Sequence, residues 1–295
     1  MDHITRAAHF LRDGGLVAFP TETVYGLGAN ALNADAVRQI FALKGRPATS
    51  PLIVHVDSIA MAKSIVRGWS DEADRLARRY WPGPLTLVLQ KDPRIPDEVT
   101  AGLPNVAVRI PNHPIALALI RDAGVPIAAP SANRFTELSP TTAEHVRRSF
   151  PDLLVIDGGP TQVGIESTVI SLVGPEPVLL RPGMITIDTI RPNPALPTLD
   201  KSVAHPSPGM HARHYSPRTP LYLLNEGGTE PSKGRGVRLS RSDMPGHPAN
   251  YAAILYGKLH ELDREGLDWI AIERPPDTSA WLAILDRLER AATKS

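Results

Sequence analysis

The stretch FPTETVYGLGANA, residues 19–31, decides how the first half of the chain is interpreted. Its last six residues fit the pattern G-x-G-x-x-G/A, which is typical of dinucleotide-binding loops. Such a loop needs a strand directly before the first glycine and an acidic residue about 20 residues downstream. Here polar residues separate the apolar run 16–19 from Gly26, and the downstream stretch RPATSP has no acid. The sequence therefore argues against a nicotinamide site. It predicts that Gly26 and Gly28 are hinges beside a cavity that Thr21–Tyr25 face.

Composition limits the classes of partner. The 295 residues include 32 basic and 31 acidic side chains, so no overall charge draws the chain to nucleic acid or membrane. The absence of cysteine excludes disulfides, thiolate nucleophiles and cysteine-bound zinc. The first fifteen residues lack the apolar core of a signal peptide, and the longest apolar run, IALALI, is too short to span a bilayer. We expect a soluble, cytoplasmic protein with no membrane segment.

Short apolar runs interleaved with helical periodicity predict an α/β (α+β) fold, a large twisted mixed β-sheet with helices packed on it. Strands are predicted at 16–19, 52–56, 85–90, 106–110, 126–130, 153–156, 168–173 and 178–180. Helices are predicted at 2–13, from Asn33 as N-cap to Lys44, and at 58–66, 71–80, 114–123 and 142–149. A capping box, Thr141-x-x-Glu144, is expected to open the last of these helices.

The composition changes twice along the chain, which predicts three parts. Residues 1–188 form the domain with the large sheet, and 189–218 form a proline-rich linker. Residues 219–295 form a small α/β unit with strands at 221–224 and 269–273, a helix capped by Asn250 and a last helix beginning near Trp281. Between the first of these strands and the helix, the glycine-rich basic segment 225–246 is predicted to be a solvated loop.

Two basic residues, Lys44 and Arg46, lie at the C-terminal end of the predicted second helix. Lys44 and Arg46 are held between glycine and proline, with the hydroxyl groups of Thr49 and Ser50 close behind them. Cations and hydroxyl groups in a rigid turn suit phosphate oxygens, lysine as a point charge and arginine as a fork. Basic residues also stabilise helix C-termini without binding any ligand. On this segment alone both interpretations stay open.

Other polar residues lie in or beside apolar strands. Arg109, inside the run VAVRI, is either exposed at an edge or buried against an acid, and a small-molecule carboxylate fits as that acid. His55 in LIVHV fits a core histidine as well as a catalytic one. The loop 131–139 offers hydroxyl and amide donors that could surround an anion or a sugar. His211 and His214 make a weak metal pair, because a third ligand at a fixed spacing is missing.

Eight segments taken together resemble the YrdC/Sua family in its longer form. In chain order they are FPTETVYGLGANA, KGRPATSPLIVHV, WPGPLTLVL, VAVRIPNHP, PIAAPSANRFTELSPT, GIESTVISL, LLRPGMI and SPGMHARHYSP. The resemblance covers about residues 5–218 and implies a YrdC-like twisted mixed β-sheet around a deep, positively lined cavity. It also implies that 1–188 is the catalytic domain and that 219–295 is a Rossmann-like second domain, here shortened.

The resemblance implies a nucleotidyltransferase activity. L-threonine, bicarbonate and ATP would give L-threonylcarbamoyladenylate, pyrophosphate and water. The adenylate would pass to the tRNA threonylcarbamoyltransferase machinery, which makes N6-threonylcarbamoyladenosine (t6A), and weak binding of tRNA is compatible with this role. Mg²⁺ is expected on the ATP phosphates, with no metal ligand from protein side chains and no organic cofactor.

The resemblance also assigns residues to the two substrates. The implied threonine-binding residues are Thr23, His55, Arg109, Ala129 and Ser167. The implied ATP-binding residues are Lys44, Arg46, Ser50, Asn105, Ser131, Asn133, Ser139, Arg181 and Tyr215. Arg109 would pair with the threonine carboxylate, and Tyr215 would fold over the cavity as a lid on ATP. His55 is a candidate base, although a binding role suits it equally well, so no catalytic residue is assigned.

Two other functions fit parts of the same pattern. The first is an RNA-binding module of YrdC type, which a salt-sensitive tRNA affinity without nucleotide turnover would favour. The second is a carbamoyltransferase that forms carbamoyl-adenylate from carbamoyl phosphate. The chain lacks the acylphosphatase-like and metal-binding cysteine segments that accompany that activity, which argues against the second alternative.

Overall fold

A computed structural model describes residues 3–190 and 214–293, and most of the predicted linker, including His211, lies outside these ranges. The strands are β1 (Val17–Phe19), β2 (Gly26–Asn30), β3 (Ile53–His55), β4 (Leu85–Gln90), β5 (Asn105–Arg109), β6 (Ile127–Ala128), β7 (Leu154–Val155), β8 (Thr168–Ser171), β9 (Val178–Arg181), β10 (Leu221–Leu224), β11 (Gly236–Leu239) and β12 (Trp269–Glu273). The helices are α1 (His3–Arg12), α2 (Ala34–Lys44), α3 (Ile59–Ser64), α4 (Asp71–Tyr80), α5 (Asp97–Thr100), α6 (Pro114–Ala123), α7 (Ala143–Ser149), α8 (Ile187–Ile190), α9 (Pro248–Leu262) and α10 (Leu282–Ala291), with short 3₁₀ helices at Arg241–Asp243 and Ser279–Trp281.

A nine-stranded mixed sheet in the order β7-β1-β2-β6-β3-β5-β4-β8-β9 confirms the predicted fold class. Strands β3 and β5 run parallel at its centre, so that His55 lies opposite Arg109 in the register. Strand β4 also runs parallel to β8, with Leu85 opposite Thr168. Because these strand ends share one edge of the sheet, polar residues from distant parts of the sequence meet there.

The glycines of the opening stretch are not hinges, and that prediction is wrong. Residues Gly26–Asn30 form β2, antiparallel to β1, with Phe19 opposite Gly26. A Cβ atom at Gly28 would lie 2.8 Å from Ile127 Cγ2 and 2.8 Å from Phe19 Cε1. Glycine at this position therefore leaves room for the side chains of Phe19 and Ile127 from the two neighbouring strands of the same sheet. The turn is made by residues 20–25, and this connection carries the polar side chains.

Helix caps agree with the sequence in one place and differ in two. The side chain of Asn33 accepts hydrogen bonds from two backbone amides at the start of α2, as predicted. At α7 the N-cap is Thr142, not Thr141, and its side chain accepts from His145 N. Helix α9 begins at Pro248 with His247 as its N-cap, so Asn250 is not the cap. Proline suits the first helical position because its missing N–H would have no partner there.

The C-terminal unit is a parallel three-stranded sheet in the order β10-β12-β11, with α9 and α10 packed on it. The predicted loop 225–246 was wrong in part, because β11 lies within it and pairs with β12. The apolar cluster of this unit also includes Val24, Leu138 and Ile165 from the first 190 residues. The two parts of the chain therefore share a core. Within the described ranges, no helix has the length and apolar character needed to cross a membrane.

Candidate active site

A buried cavity lies at the sheet edge where β3 and β5 end. Its lining residues are Thr21, Thr23, Val24, Gly26, Arg46, Ile53, His55, Arg109, Ala129, Pro130, Ser131, Glu166, Ser167, Arg181, His214 and Tyr215. The free volume is about 50 Å³. A single water needs roughly 10–15 Å³, so the free space corresponds to a few waters and is far too small for a nucleotide.

In the cavity wall Arg109 is held by three groups of the chain. Its Nη2 lies 2.6 Å from Glu22 Oε2, in an ion pair whose side chains are both almost fully buried. Its Nη1 donates a hydrogen bond to Thr23 Oγ1 at 2.9 Å, and its Nε donates to Gly83 O at 3.2 Å. Of the two placements predicted for Arg109, the structure therefore has the buried one. The acidic partner is Glu22 of the chain itself.

His55 is neutral in this environment. Burial, and then the charge of Arg109, lower the pKa of His55 to about 3. Its Nδ1 is buried and has no hydrogen-bond partner within the described residues. A base whose conjugate acid has so low a pKa is a poor acceptor for an ammonium proton, which disfavours His55 as the base. A neutral ring with an unpartnered nitrogen is instead suited to contact a polar ligand.

Two further arginines, Arg46 and Arg181, line the cavity. Arg46 Nη2 donates to Pro51 O at 3.2 Å, and its Nε is buried without a partner among the described residues. Burial, and then the neighbouring Arg181, outweigh the effect of Tyr215 and lower the pKa of Arg46 to about 10. Arg181 donates to Ser167 O and Ser167 Oγ, both at 3.0 Å. Buried guanidinium groups so close together favour an anionic ligand between them.

The ammonium group of Lys44 donates to backbone carbonyl oxygens of the loop after β6. Its Nζ donates to Ser131 O at 2.6 Å and also to Asn133 O, which ties the end of α2 to the loop after β6. Burial lowers the pKa of Lys44 well below its ordinary value. Lys44 is thus a support for the loop that carries Ser131.

The segment 214–216 closes the cavity. Tyr215 is 1% exposed and its φ of 61° is left-handed, which is uncommon for a residue other than glycine. The guanidinium carbon of Arg287 lies 5.2 Å from the centre of the Tyr215 ring, and the ring of Tyr256 stacks with it at 6.0 Å. Ser216 N donates to Thr136 O at 2.9 Å. Contacts from both parts of the chain thus hold an unusual backbone conformation in place.

The structure brings together most of the residues that the sequence assigned to a site. All five predicted threonine-binding residues line the cavity. Of the predicted ATP-binding residues, the lining includes Arg46, Ser131, Arg181 and Tyr215. Among the described residues the lining does not include Lys44, Ser50, Asn105, Asn133 or Ser139. Lys44 ends α2 and Ser50 follows it in the next loop, whereas Asn133 and Ser139 lie in the loop between β6 and α7. Asn105 begins β5, four residues and roughly 13 Å along the strand from Arg109.

Sequence reasoning placed Glu22 at the cavity only as part of Thr21–Tyr25 and missed its pairing with Arg109, and it missed Glu166 and His214 as lining residues. Glu22 balances the charge of Arg109, Glu166 lines the cavity beside Ser167, and His214 lies in the closing segment. A search for the counter-charges of three buried arginines would have pointed to the two glutamates, because few acids lie within the eight segments that carry the family resemblance. Tyr25 was placed at the cavity but points away from it, since its hydroxyl donates to Gly159 O at 2.7 Å.

Fold and cavity together define an α/β protein whose cavity lies in a mixed-sheet domain, is lined by three buried arginines and is bordered by His214 and Tyr215. The family model Sua5_yciO_yrdC, described as telomere recombination, matches residues 9–183. The model Sua5_C, described as threonylcarbamoyl-AMP synthase, C-terminal domain, matches residues 185–293. The chain belongs to the Sua5/YrdC family of threonylcarbamoyl-AMP synthases.

Similar proteins cover the chain almost completely. The threonylcarbamoyl-AMP synthase of Bacillus subtilis is 43% identical over 98% of this chain and 92% of its own length. That of Pyrococcus abyssi is 42% identical over 97% of this chain and 93% of its own length. The crystal structure of P. abyssi Sua5 complexed with L-threonine superposes with a TM-score of 0.91 at 38% identity, covering 99% of this chain and 95% of that chain.

Proposed function

We propose that the chain joins L-threonine, bicarbonate and ATP into L-threonylcarbamoyladenylate, with release of pyrophosphate and water. One observation carries the proposal. The five residues predicted for threonine and four of those predicted for ATP line one buried cavity, and Arg46, Arg109 and Arg181 are three cations among them. Such a cavity can hold two anionic reactants close together, which is the main demand of this reaction.

Threonine binds beside Arg109. Its carboxylate shares the guanidinium with Glu22, and its hydroxyl and amine are within the range of Thr23 Oγ1 and the neutral ring of His55. Because Glu22 already balances Arg109, binding a zwitterion there adds no net charge to the buried pocket.

The nucleotide binds beside Arg46 and Arg181. The triphosphate is proposed to lie between these two guanidinium groups and the hydroxyl of Ser131. ATP does not fit while Tyr215 fills this space, so the segment 214–216 moves before the nucleotide binds and then covers it. The left-handed backbone of Tyr215 lowers the cost of leaving the closed position.

The chemistry requires no nucleophile from the protein. The neutral amine of threonine attacks bicarbonate or CO₂ to give a carbamate, whose oxygen attacks the α-phosphorus while pyrophosphate leaves. The residues position two mutually repelling anions and stabilise the charge that develops on the phosphate, Arg46 and Arg181 most directly. Exclusion of water by the closing segment protects the carbamate and the mixed anhydride from hydrolysis.

Magnesium is proposed to arrive on the nucleotide. Within the part of the chain that the structure describes, no group of three or more His, Asp or Glu side chains is placed to hold a metal ion. Mg²⁺ is commonly bound through substrate phosphates and waters, which fits an ion carried by the ATP phosphates without a protein ligand. When bound, the ion would neutralise charge on the leaving pyrophosphate. We further propose that the adenylate is consumed by the tRNA threonylcarbamoyltransferase machinery.

Pyrophosphate release from ATP and Mg²⁺ tests the proposal, with threonine and bicarbonate each added or omitted. We expect release only when both are present, together with a product of the mass of threonylcarbamoyladenylate. Release that needs carbamoyl phosphate instead would indicate a carbamoyltransferase. Salt-sensitive tRNA binding without any release would indicate an RNA-binding module, and either result would refute the synthase.

A further inference from the structure

We propose that Arg287, on helix α10 of the C-terminal unit, is a positioning residue for the active site and acts through Glu166. The inference rests on the proposed function. It gives the small C-terminal domain a definite role in the site, because Arg287 fixes the wall of the cavity from behind through a contact between residues 121 positions apart.

Arg287 is fully buried and contacts three segments of the site. Its Nε donates to Glu166 Oε2 at 2.8 Å, and its Nη2 donates to Glu166 O at 3.3 Å. Its Nη1 donates to Pro182 O at 3.0 Å, directly after Arg181. Its guanidinium carbon lies 5.2 Å from the ring centre of Tyr215, close enough for a cation–π contact. One side chain therefore joins the segment before Ser167, the segment after Arg181 and the lid.

Glu166 connects Arg287 to the cavity, because it bonds to Arg287 and also lines the cavity. Its Oε1 accepts a hydrogen bond from Ser139 Oγ at 2.5 Å, and its Oε2 also accepts from Tyr256 OH at 3.2 Å. Burial alone would raise the pKa of Glu166, but Arg287, Arg181 and the bond from Ser139 lower it overall. The group is thus a carboxylate held on both oxygens, and it orients the next residue, Ser167.

The geometry of this pair favours orientation over stability as its role. The side chains of Arg287 and Glu166 are 0% and 8% exposed. The cost of removing two charges from water often cancels their attraction, so a buried ion pair can be replaced by apolar groups without loss of stability. Removing one partner is costly, because the other charge stays buried and unpaired. Side chains that fix the orientation of residues in contact with substrate nevertheless often control activity strongly.

Four variants of the full chain test the inference. Arg287→Met removes the charge, Arg287→Lys keeps the charge but lacks the fork, and Glu166→Gln keeps the shape. The double variant Glu166→Gln/Arg287→Met removes both charges of the ion pair, and Asp286, which also accepts a hydrogen bond from Arg287, keeps its pair with Arg290. Folding is therefore preserved if Arg287→Met alone unfolds. Arg274→Met is the matched control. Arg274 lies outside α10 but pairs with Glu289 on α10, the helix that carries Arg287, and this pair does not line the cavity.

We expect the double variant to fold with a melting temperature close to that of the wild type and to lose roughly 10- to 100-fold in kcat, the typical effect of a small misplacement of reacting groups. The KM for ATP should rise, because Arg181 and Tyr215 lose a neighbouring contact. The KM for threonine should rise less, because only Ser167 of the five residues predicted for threonine adjoins Glu166. Arg287→Lys should recover part of kcat, and Arg274→Met should match the wild type. The loss in the double variant should not exceed that of the worse single variant, because both changes remove one contact.

Two results separate the inference from the proposed function. An active wild type with full kcat and an unchanged KM for ATP in the folded double variant would overturn the inference alone. A wild type that releases no pyrophosphate with threonine and bicarbonate would overturn the proposed function and the inference with it. An equal loss in Arg274→Met would also overturn the inference, since the effect would then come from α10 in general.

Discussion

At the scale of single residues, Arg109 lies between a carboxylate of the chain and the space proposed for threonine. We predict that Arg109→Ala lowers kcat/KM for threonine. The loss of transition-state stabilisation should be about 2–5 kcal/mol, the usual effect of truncating one member of a buried charge pair. The variant should also melt earlier than the wild type, because Glu22 remains buried without its partner. Steady-state kinetics and thermal unfolding measure the two effects.

A double variant separates binding from stability in this prediction. In Arg109→Met/Glu22→Gln no unpaired charge is buried, so the melting temperature should recover. Threonine use should stay impaired, because the group that meets the substrate carboxylate is gone. Recovery of both properties would remove Arg109 from the threonine site.

The second prediction at this scale concerns the charge of His55. With a pKa of about 3, His55 stays neutral at every pH at which the protein is assayed. The pH profile of kcat/KM should therefore keep its shape between about pH 5 and 8 in His55→Asn, while affinity for threonine falls by about 10-fold with the lost hydrogen bond. An acid limb near pH 6.5 that disappears in the variant would show that His55 titrates as the base.

The chemical identity of the site residues is readable from the sequence, and their charge balance is not. Hydroxyl groups and cations beside glycine and proline mark Thr23, Arg46 and Ser131 as ligand contacts, and all three line the cavity. Nothing in the spacing says that Glu22 turns toward Arg109, because 86 residues separate Thr23 from Arg109 and the connection 20–25 lies outside the strands whose register is fixed. Counter-charges depend on tertiary contacts, so they were missed.

At the scale of elements, the close approach of β2 to its neighbours leads to the third prediction. A Cβ atom at Gly28 would overlap Ile127 and Phe19, and both are buried and cannot move aside. We predict that Gly28→Ala destabilises the protein by about 1–3 kcal/mol through overpacking. This corresponds to a decrease of several degrees in melting temperature.

Gly246→Ala is the control for this prediction, because no atom lies within 4 Å of the Cβ position there. It should melt within about a degree of the wild type. If Gly28→Ala were as stable as Gly246→Ala, packing would not be the reason for glycine in β2.

Element types were predicted well and element ends less well. The N-cap of α7 is one residue later than predicted. Thr141 and Thr142 can both act as N-caps, and Thr142 does so because its backbone is extended at the position directly before the helix. Strand β11 was hidden in a polar stretch because it has only four residues and is half exposed, with Gly236 lying against the ring of Trp269. Short strands of this kind are specified by their neighbours more than by their own periodicity.

At the scale of the whole molecule, the sequence identified the C-terminal unit but not its relation to the site. The shortened length left open whether this unit still reaches the cavity. The structure places Arg287 and Tyr256 against Glu166, and His260 Nε2 lies 3.1 Å from Ser139 O. Contacts between side chains 90 or more residues apart leave no local pattern, so this junction could not be predicted.

A second contact of this junction makes its stability depend on pH. His145 of α7 and His260 of α9 stack with ring centres 3.9 Å apart. Burial, then His260 and nearby arginines, lower the pKa of His145 from 6.5 to about 3, and burial also lowers the pKa of His260. A lowered pKa means that the folded protein favours the neutral rings, so their contribution is complete above about pH 6.5. It is lost as the pH falls toward 3, since the unfolded chain then binds protons more readily.

We therefore predict that melting temperature falls by several degrees between pH 7.5 and about pH 5 and that His145→Gln reduces this slope. The physical reason is direct. Protonation of His145 Nδ1 ends its acceptance of a hydrogen bond from Thr141 N, 3.3 Å away, and places two positive rings in contact. His3→Gln, which removes an exposed imidazole on α1, serves as the control and should keep the wild-type slope. Equal slopes in all three proteins would show that the stacked pair does not titrate with unfolding, and the remaining slope would then come from other buried imidazoles such as His55, whose pKa is lowered to about 3.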